Sequence, residues 1–115
     1  MPYERGDVLL VLFPDSNLRT AKRRPALVVM ADRLDTGLPQ TIVAMITSNM
    51  SRAGHPSRVA VPLGSADGRR MGLLTDSVIM ADNLATVMET EIDRTIGKCG
   101  DMMGVDAALR RTLGL

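Results

Sequence analysis

Residues 7–13 read DVLLVLF, a run held between Gly6 and Pro14 and apolar throughout after its opening Asp7. It has the length of a strand and is too short for a helix, so it predicts a buried first strand. The pattern recurs along the chain. A second strand, ALVVM, follows Pro25; TIVAMIT spans Thr41 to Thr47; and RVAVP, alternating cleanly, runs from Arg58 to Pro62. GLLTDSVIM spans Gly72 to Met80, and a short strand covers Asn83 to Met88. Strands this short and this frequent predict a mainly β fold, an SH3-like small barrel or curled antiparallel sheet. One helix closes it: Asp101 is placed to cap a helix whose Met102, Val105, Leu109 and Leu113 share one stripe.

The segments between strands are polar. Pro14 to Arg24 reads PDSNLRTAKRR, with a Pro-Asp-Ser-Asn turn signal, and predicts a long basic loop joining the first two strands as a wide hairpin. Pro25 then falls at the first strand position, where its missing N–H is tolerated. Ala31 to Gln40, Ser48 to Ser57 and Gly64 to Arg70 read as further loops, and Thr90 to Lys98 as a helical turn ending before Gly97. Thr75, Asp76 and Ser77 interrupt the fifth strand with polar side chains, which marks a solvent face.

At 115 residues the chain is expected to form one domain, residues 1–115. A single cysteine (Cys99) and a single histidine (His55) leave no internal disulfide and no Cys/His zinc site, so neither metal nor cofactor is called for. With no apolar leader and no run long enough to span a bilayer, a soluble, cytoplasmic protein is expected. Net charge is only +1, but residues 1–70 carry ten Lys/Arg against six Asp/Glu, and residues 71–115 four against seven. That asymmetry suits a protein that holds a polyanion on one surface. Cys99 reads as a structural residue, and His55, in a Gly/Pro loop without an orienting partner, as incidental.

Polar residues that escape the strand pattern fall at Lys22-Arg23-Arg24, Thr47-Ser48-Asn49 and Thr75-Asp76-Ser77. Strand ends of a small curled sheet can bring such groups to one concave surface. Arginine offers a fork of donors matching a phosphate, and hydroxyls add to it. Serine-hydrolase, phosphate-loop and dinucleotide signatures are absent. What these groups can support is RNA cleavage by the substrate's own 2′-hydroxyl, where the protein need only position the nucleophile and neutralise the crowded phosphate.

Gly6-Asp7-Val8 opening a strand, Arg24-Pro25-Ala26-Leu27-Val28-Val29, Ile46-Thr47-Ser48, Asp76-Ser77-Val78-Ile79-Met80-Ala81-Asp82 and the terminal ALRRTLGL resemble, in order and spacing, the MazF/PemK family of toxin endoribonucleases. The resemblance covers nearly the whole chain. It implies the MazF/PemK/CcdB-type fold with its C-terminal helix, a homodimer, and metal-independent cleavage of single-stranded RNA to 2′,3′-cyclic phosphate and 5′-hydroxyl ends. It also implies a cognate antitoxin whose acidic, disordered tail covers the RNA groove. Arg24 matches the family arginine that stabilises the phosphorane, and Thr47, with Ser48 beside it, the threonine that bonds the scissile phosphate. RNA contact is expected from Arg19, Lys22, Arg23, Asn49, Arg52, Asp76 and Ser77. Two rivals remain: a toxin of the same fold that inhibits DNA gyrase, and a non-enzymatic SH3-like binding module. Aromatic-lined peptide grooves are the mark of such modules, and Tyr3 and Phe13 are the only aromatics here.

Overall fold

The computed structural model describes residues 3–14, 19 and 21–115. Six strands, β1 (Asp7–Pro14), β2 (Ala21–Val28), β3 (Gln40–Thr47), β4 (Arg58–Val61), β5 (Ser77–Met88) and β6 (Ile92–Lys98), form one antiparallel sheet in the order β4-β5-β3-β2-β1-β6. The end strands β4 and β6 do not pair, so the sheet stays open and the closed-barrel form of the expectation does not hold.

Burial on both faces explains why the central strands read as continuous apolar runs. Val8, Leu27, Ala44, Ile46 and Ile79 pack with Met71, Leu73 and Val105 on one face. Leu9, Val11, Ala26, Val28, Val43 and Val87 pack on the other, with Tyr3 and Ile92 against them. A short helix α1 (Ala66–Arg70) and a longer one, α2 (Met102–Leu113), complete the fold. Asp101 caps α2 as its sequence position suggested, accepting from the Gly104 N–H at 3.1 Å. Val105 and Ala108 carry its buried stripe, while Leu113 is exposed at the helix end.

Several expectations are corrected. Lys22, Arg23 and Arg24 belong to β2 and not to a loop: they pair with Phe13, Leu12 and Val11 of β1, and cross-strand bonding holds the strand although its side chains face water. The Pro-Asp-Ser-Asn turn before them lies mostly outside the described residues. Pro25 is therefore inside a strand. Val29 donates to Ile42 on the β3 side and Val28 accepts from Gly6 on the β1 side, so the alternation aims the Pro25 nitrogen toward β3. The β2–β3 ladder begins only at Ala26, and no bond is lost.

Residues 72–80 and 83–88 are not two strands. β5 starts at Ser77 and runs through to Met88, with a register shift where Met80 pairs Met45 and Leu84 pairs Ala44. Thr75 and Asp76 thus lie in the preceding loop. The loop Gly64 to Arg70 contains α1, capped by Ser65, whose hydroxyl accepts from the Gly68 N–H at 3.0 Å. Thr90 to Lys98 is mainly β6, an edge strand fixed by pairing with β1. Among the described residues no helix is long and apolar enough to cross a membrane.

Candidate functional site

A groove of about 420 Å³ opens where β2 begins and β3 ends. Arg23, Arg24 and Pro25 come from β2, and Ile46, Thr47 and Ser48 from the end of β3. Continuing the β2–β3 register two residues beyond the Ala26–Met45 pair sets Arg24 opposite Thr47. The two parts of the sequence motif thus meet across neighbouring strands. The Thr47 hydroxyl also accepts from the Asn49 N–H at 3.1 Å, which fixes the turn that presents Ser48 to solvent.

Apart from Thr75, the far wall was not foreseen. It consists of Gly72, Leu73, Leu74 and Thr75, with Arg94 and Ile96 of β6, and Leu10 of β1 at its base. Two glycines allow the 70–75 segment to lie directly on β6. A Cβ at Gly97 would stand 2.3 Å from the carbonyl oxygen of Arg70, and one at Gly72, whose φ is +71°, would stand 2.2 Å from that of Ile96. Arg94 and Leu10 are cross-strand partners and both face the groove.

Charge at the mouth is organised by Asp93. Its carboxylate lies 3.2 Å from Arg23 Nε and 3.0 Å from an Arg94 terminal nitrogen, so one anion holds two guanidiniums at the rim. No sequence signal marked Asp93 or Arg94, since both stand in a stretch that reads equally well as a helical turn.

The other expected site residues are placed as follows. Ser77 lines the groove but is buried, and its hydroxyl donates to the Thr75 carbonyl at 2.9 Å, bracing the far wall. Asp76 stands outside the lining and accepts from the Leu63 N–H at 2.8 Å. Asn49 caps a 3-10 turn at Met50–Arg52, accepting from the Ser51 N–H, and Arg52, exposed at its end, accepts through its carbonyl from Arg58. Arg19 and Lys22 are exposed and stand outside the groove lining.

His55 is also outside the groove; its Nδ1 accepts from the Ser57 N–H at 3.1 Å and sits 2.7 Å from the Ser57 hydroxyl. Burial pushes the Cys99 thiol above its ordinary range, which keeps it protonated and unreactive. The groove lining contains no carboxylate and no imidazole among the described residues. Its chemistry is guanidinium and hydroxyl donors over an apolar floor, which suits a phosphodiester with attached flat apolar groups.

Residues 4–113 match the family described as PemK-like, MazF-like toxin of type II toxin-antitoxin system. The chain is 35% identical over 107 residues to Endoribonuclease MazF6 of Mycobacterium tuberculosis, covering 90% of each. It is 32% identical over 118 residues to Endoribonuclease EndoA of Bacillus subtilis, covering 100% of this chain and 97% of that one. Its fold is similar to that of an endoribonuclease solved in complex with its cognate antitoxin from a mycobacterial species, with a TM-score of 0.74 at 24% identity, covering 98% of this chain and 96% of that one. On the extent of these matches, the chain belongs to the PemK-like, MazF-like toxins of type II toxin–antitoxin systems.

Proposed function

We propose that this toxin is a sequence-specific, metal-independent endoribonuclease of single-stranded RNA. The observation that carries the reading is that Arg24, Thr47 and Ser48, from the neighbouring strands β2 and β3 and the residue after β3, line one groove. In the reaction the RNA 2′-hydroxyl gives up its proton as its oxygen attacks the adjacent phosphorus, the bond to the 5′-oxygen breaks and that oxygen takes up a proton, so the products are a 2′,3′-cyclic phosphate and a 5′-hydroxyl. Negative charge builds on the non-bridging oxygens of the phosphorane. The Arg24 guanidinium, always charged, donates to them, and the Thr47 and Ser48 hydroxyls add hydrogen bonds. Arg23 and Arg94 bind flanking phosphates, with Lys22 at the start of β2 and Arg19 ahead of that strand adding positive charge.

The chain acts as one toxin domain over residues 1–115, as a homodimer in the cytoplasm, restrained by an antitoxin whose acidic segment competes with RNA for the same cationic groove. The relatives named as endoribonucleases and the solved complex with an antitoxin support this reading.

The test is incubation with a long single-stranded RNA in EDTA, beside Arg24→Ala, with the 5′ ends of fragments mapped. Discrete cuts with 5′-hydroxyl ends are expected, slowed by about 10²–10³ in the variant, as for loss of an oxyanion donor. Toxicity in cells without cleavage, retained by Arg24→Ala, would instead indicate a toxin acting by protein contact such as gyrase inhibition.

A further inference from the structure

We propose that Leu74 is the side chain on which a nucleobase of the bound RNA rests, and that it helps decide which base is accepted beside the cut; this rests on the nuclease reading above. Leu74 is 93% exposed, yet it does not stand on a slack loop. Leu73 before it is buried in the core, Gly72 is packed against the Ile96 backbone, and the Asp76 carboxylate and Ser77 hydroxyl tie down the residues after it. A large apolar side chain is thus held out into water by a braced segment.

The groove supplies the reason. Its cationic and hydroxyl groups match a sugar–phosphate backbone, while its floor of Leu10, Pro25 and Ile96 offers them nothing. Single-stranded RNA brings both a charged backbone and bases with flat, weakly polar faces, and proteins commonly meet those faces with aromatic side chains. No aromatic residue lines this groove among the described residues, so an aliphatic surface must take that part. Of the exposed large apolar side chains among the described residues, Leu74 alone lines it.

The experiment uses an RNA oligonucleotide spanning the mapped cut, with a 2′-deoxy sugar at the scissile nucleotide so that it binds without being cleaved. A companion set carries one abasic position each. Covering about half a leucine side chain corresponds to roughly fivefold in affinity. Wild-type protein should lose about that factor at one abasic position. Leu74→Ala should bind the intact oligonucleotide about fivefold more weakly and lose nothing further at that same position, the pattern of a direct contact. Its cut-site map should relax at that position alone, and Leu74→Phe should restore binding. If Leu74→Ala keeps the wild-type affinity, abasic penalty and cut-site map while the wild type cleaves, the base contact is refuted and the nuclease reading stands. If the wild type cleaves no RNA, both fall together.

Discussion

Asp93 restrains the groove's own cations, and removing its charge should strengthen RNA binding. The carboxylate is shared by Arg23 and Arg94 at the rim, and Asp93→Asn leaves the side-chain volume nearly unchanged while removing one negative charge. Both guanidiniums are about two-thirds exposed, so the lost ion pairs cost at most about 1 kcal/mol of stability, a few degrees in Tm. In water, one unit charge about 7 Å from a phosphate is worth about 0.6 kcal/mol, or roughly threefold in affinity. Each arginine newly free to neutralise a phosphate also steepens the log affinity against log salt plot by about 0.7 for a single strand. Fluorescence anisotropy of a labelled single-stranded RNA from about 50 to 200 mM salt reads both quantities. About threefold tighter binding at low salt and a slope steeper by about 0.7–1.4 are expected. Cleavage at subsaturating RNA should rise in proportion, with the saturated rate unchanged. Asp82→Asn is the control, since it removes the same charge from β5 outside the groove, where Asp82 pairs with Arg58. Equal gains from both variants would show a bulk charge effect, and no gain from Asp93→Asn would show that Arg23 and Arg94 do not face RNA.

Two further outcomes follow from the packing and the ionic contacts. Gly97→Ala should destabilise the fold by about 1–3 kcal/mol, because its Cβ meets backbone atoms that cannot rotate away, and should lower RNA cleavage by moving the far wall; Gly64→Ala, with nothing within 4 Å of its Cβ, should be neutral in the same thermal melts. Hydrogen bonding from Arg58 holds the Asp82 carboxyl below its ordinary value, so the folded state binds fewer protons than the unfolded chain in the acid range. The Tm advantage of wild type over Asp82→Asn should therefore be present in full above about pH 5 and shrink as the pH falls below about 4; an advantage that grew in acid would contradict the pairing.

What the sequence disclosed follows from what each segment buries. The strands β1, β3 and β4 were legible because their apolar residues are packed in the core and their ends carry turn residues. The helix α2 was legible because an aspartate cap and a spaced apolar stripe are local signals. The start of β2 was not, since three consecutive cationic side chains facing water carry no strand pattern; only pairing with β1 shows it. The break seen in β5 is a bulge. Asp82 and Asn83 fall where the register with β3 shifts, and Arg58 pairs with the carboxylate, so polar residues sit inside a continuous strand.

The candidate site divides along the same line. Thr47 and Ser48 stand at the end of β3 and Arg24 on the neighbouring strand β2, each beside an apolar run whose order along the chain could be read. The opposite wall could not, because β6 obeys no single period. Val11 pairs Ile92, Leu10 pairs Arg94, Leu9 pairs Thr95 and Val8 pairs Gly97, so Asp93 and Ile96 are both extra residues in bulges. As a result Ile92 packs with the cluster on one face and Ile96 with the cluster on the other, although they stand four positions apart. A helix would place such a pair on one stripe, and a regular strand would place it on one face. The same bulges put Asp93 between two arginines and Ile96 under Gly72. The feature that hid β6 from a periodicity reading is therefore also what builds the groove's cationic rim and seats the loop that carries Leu74.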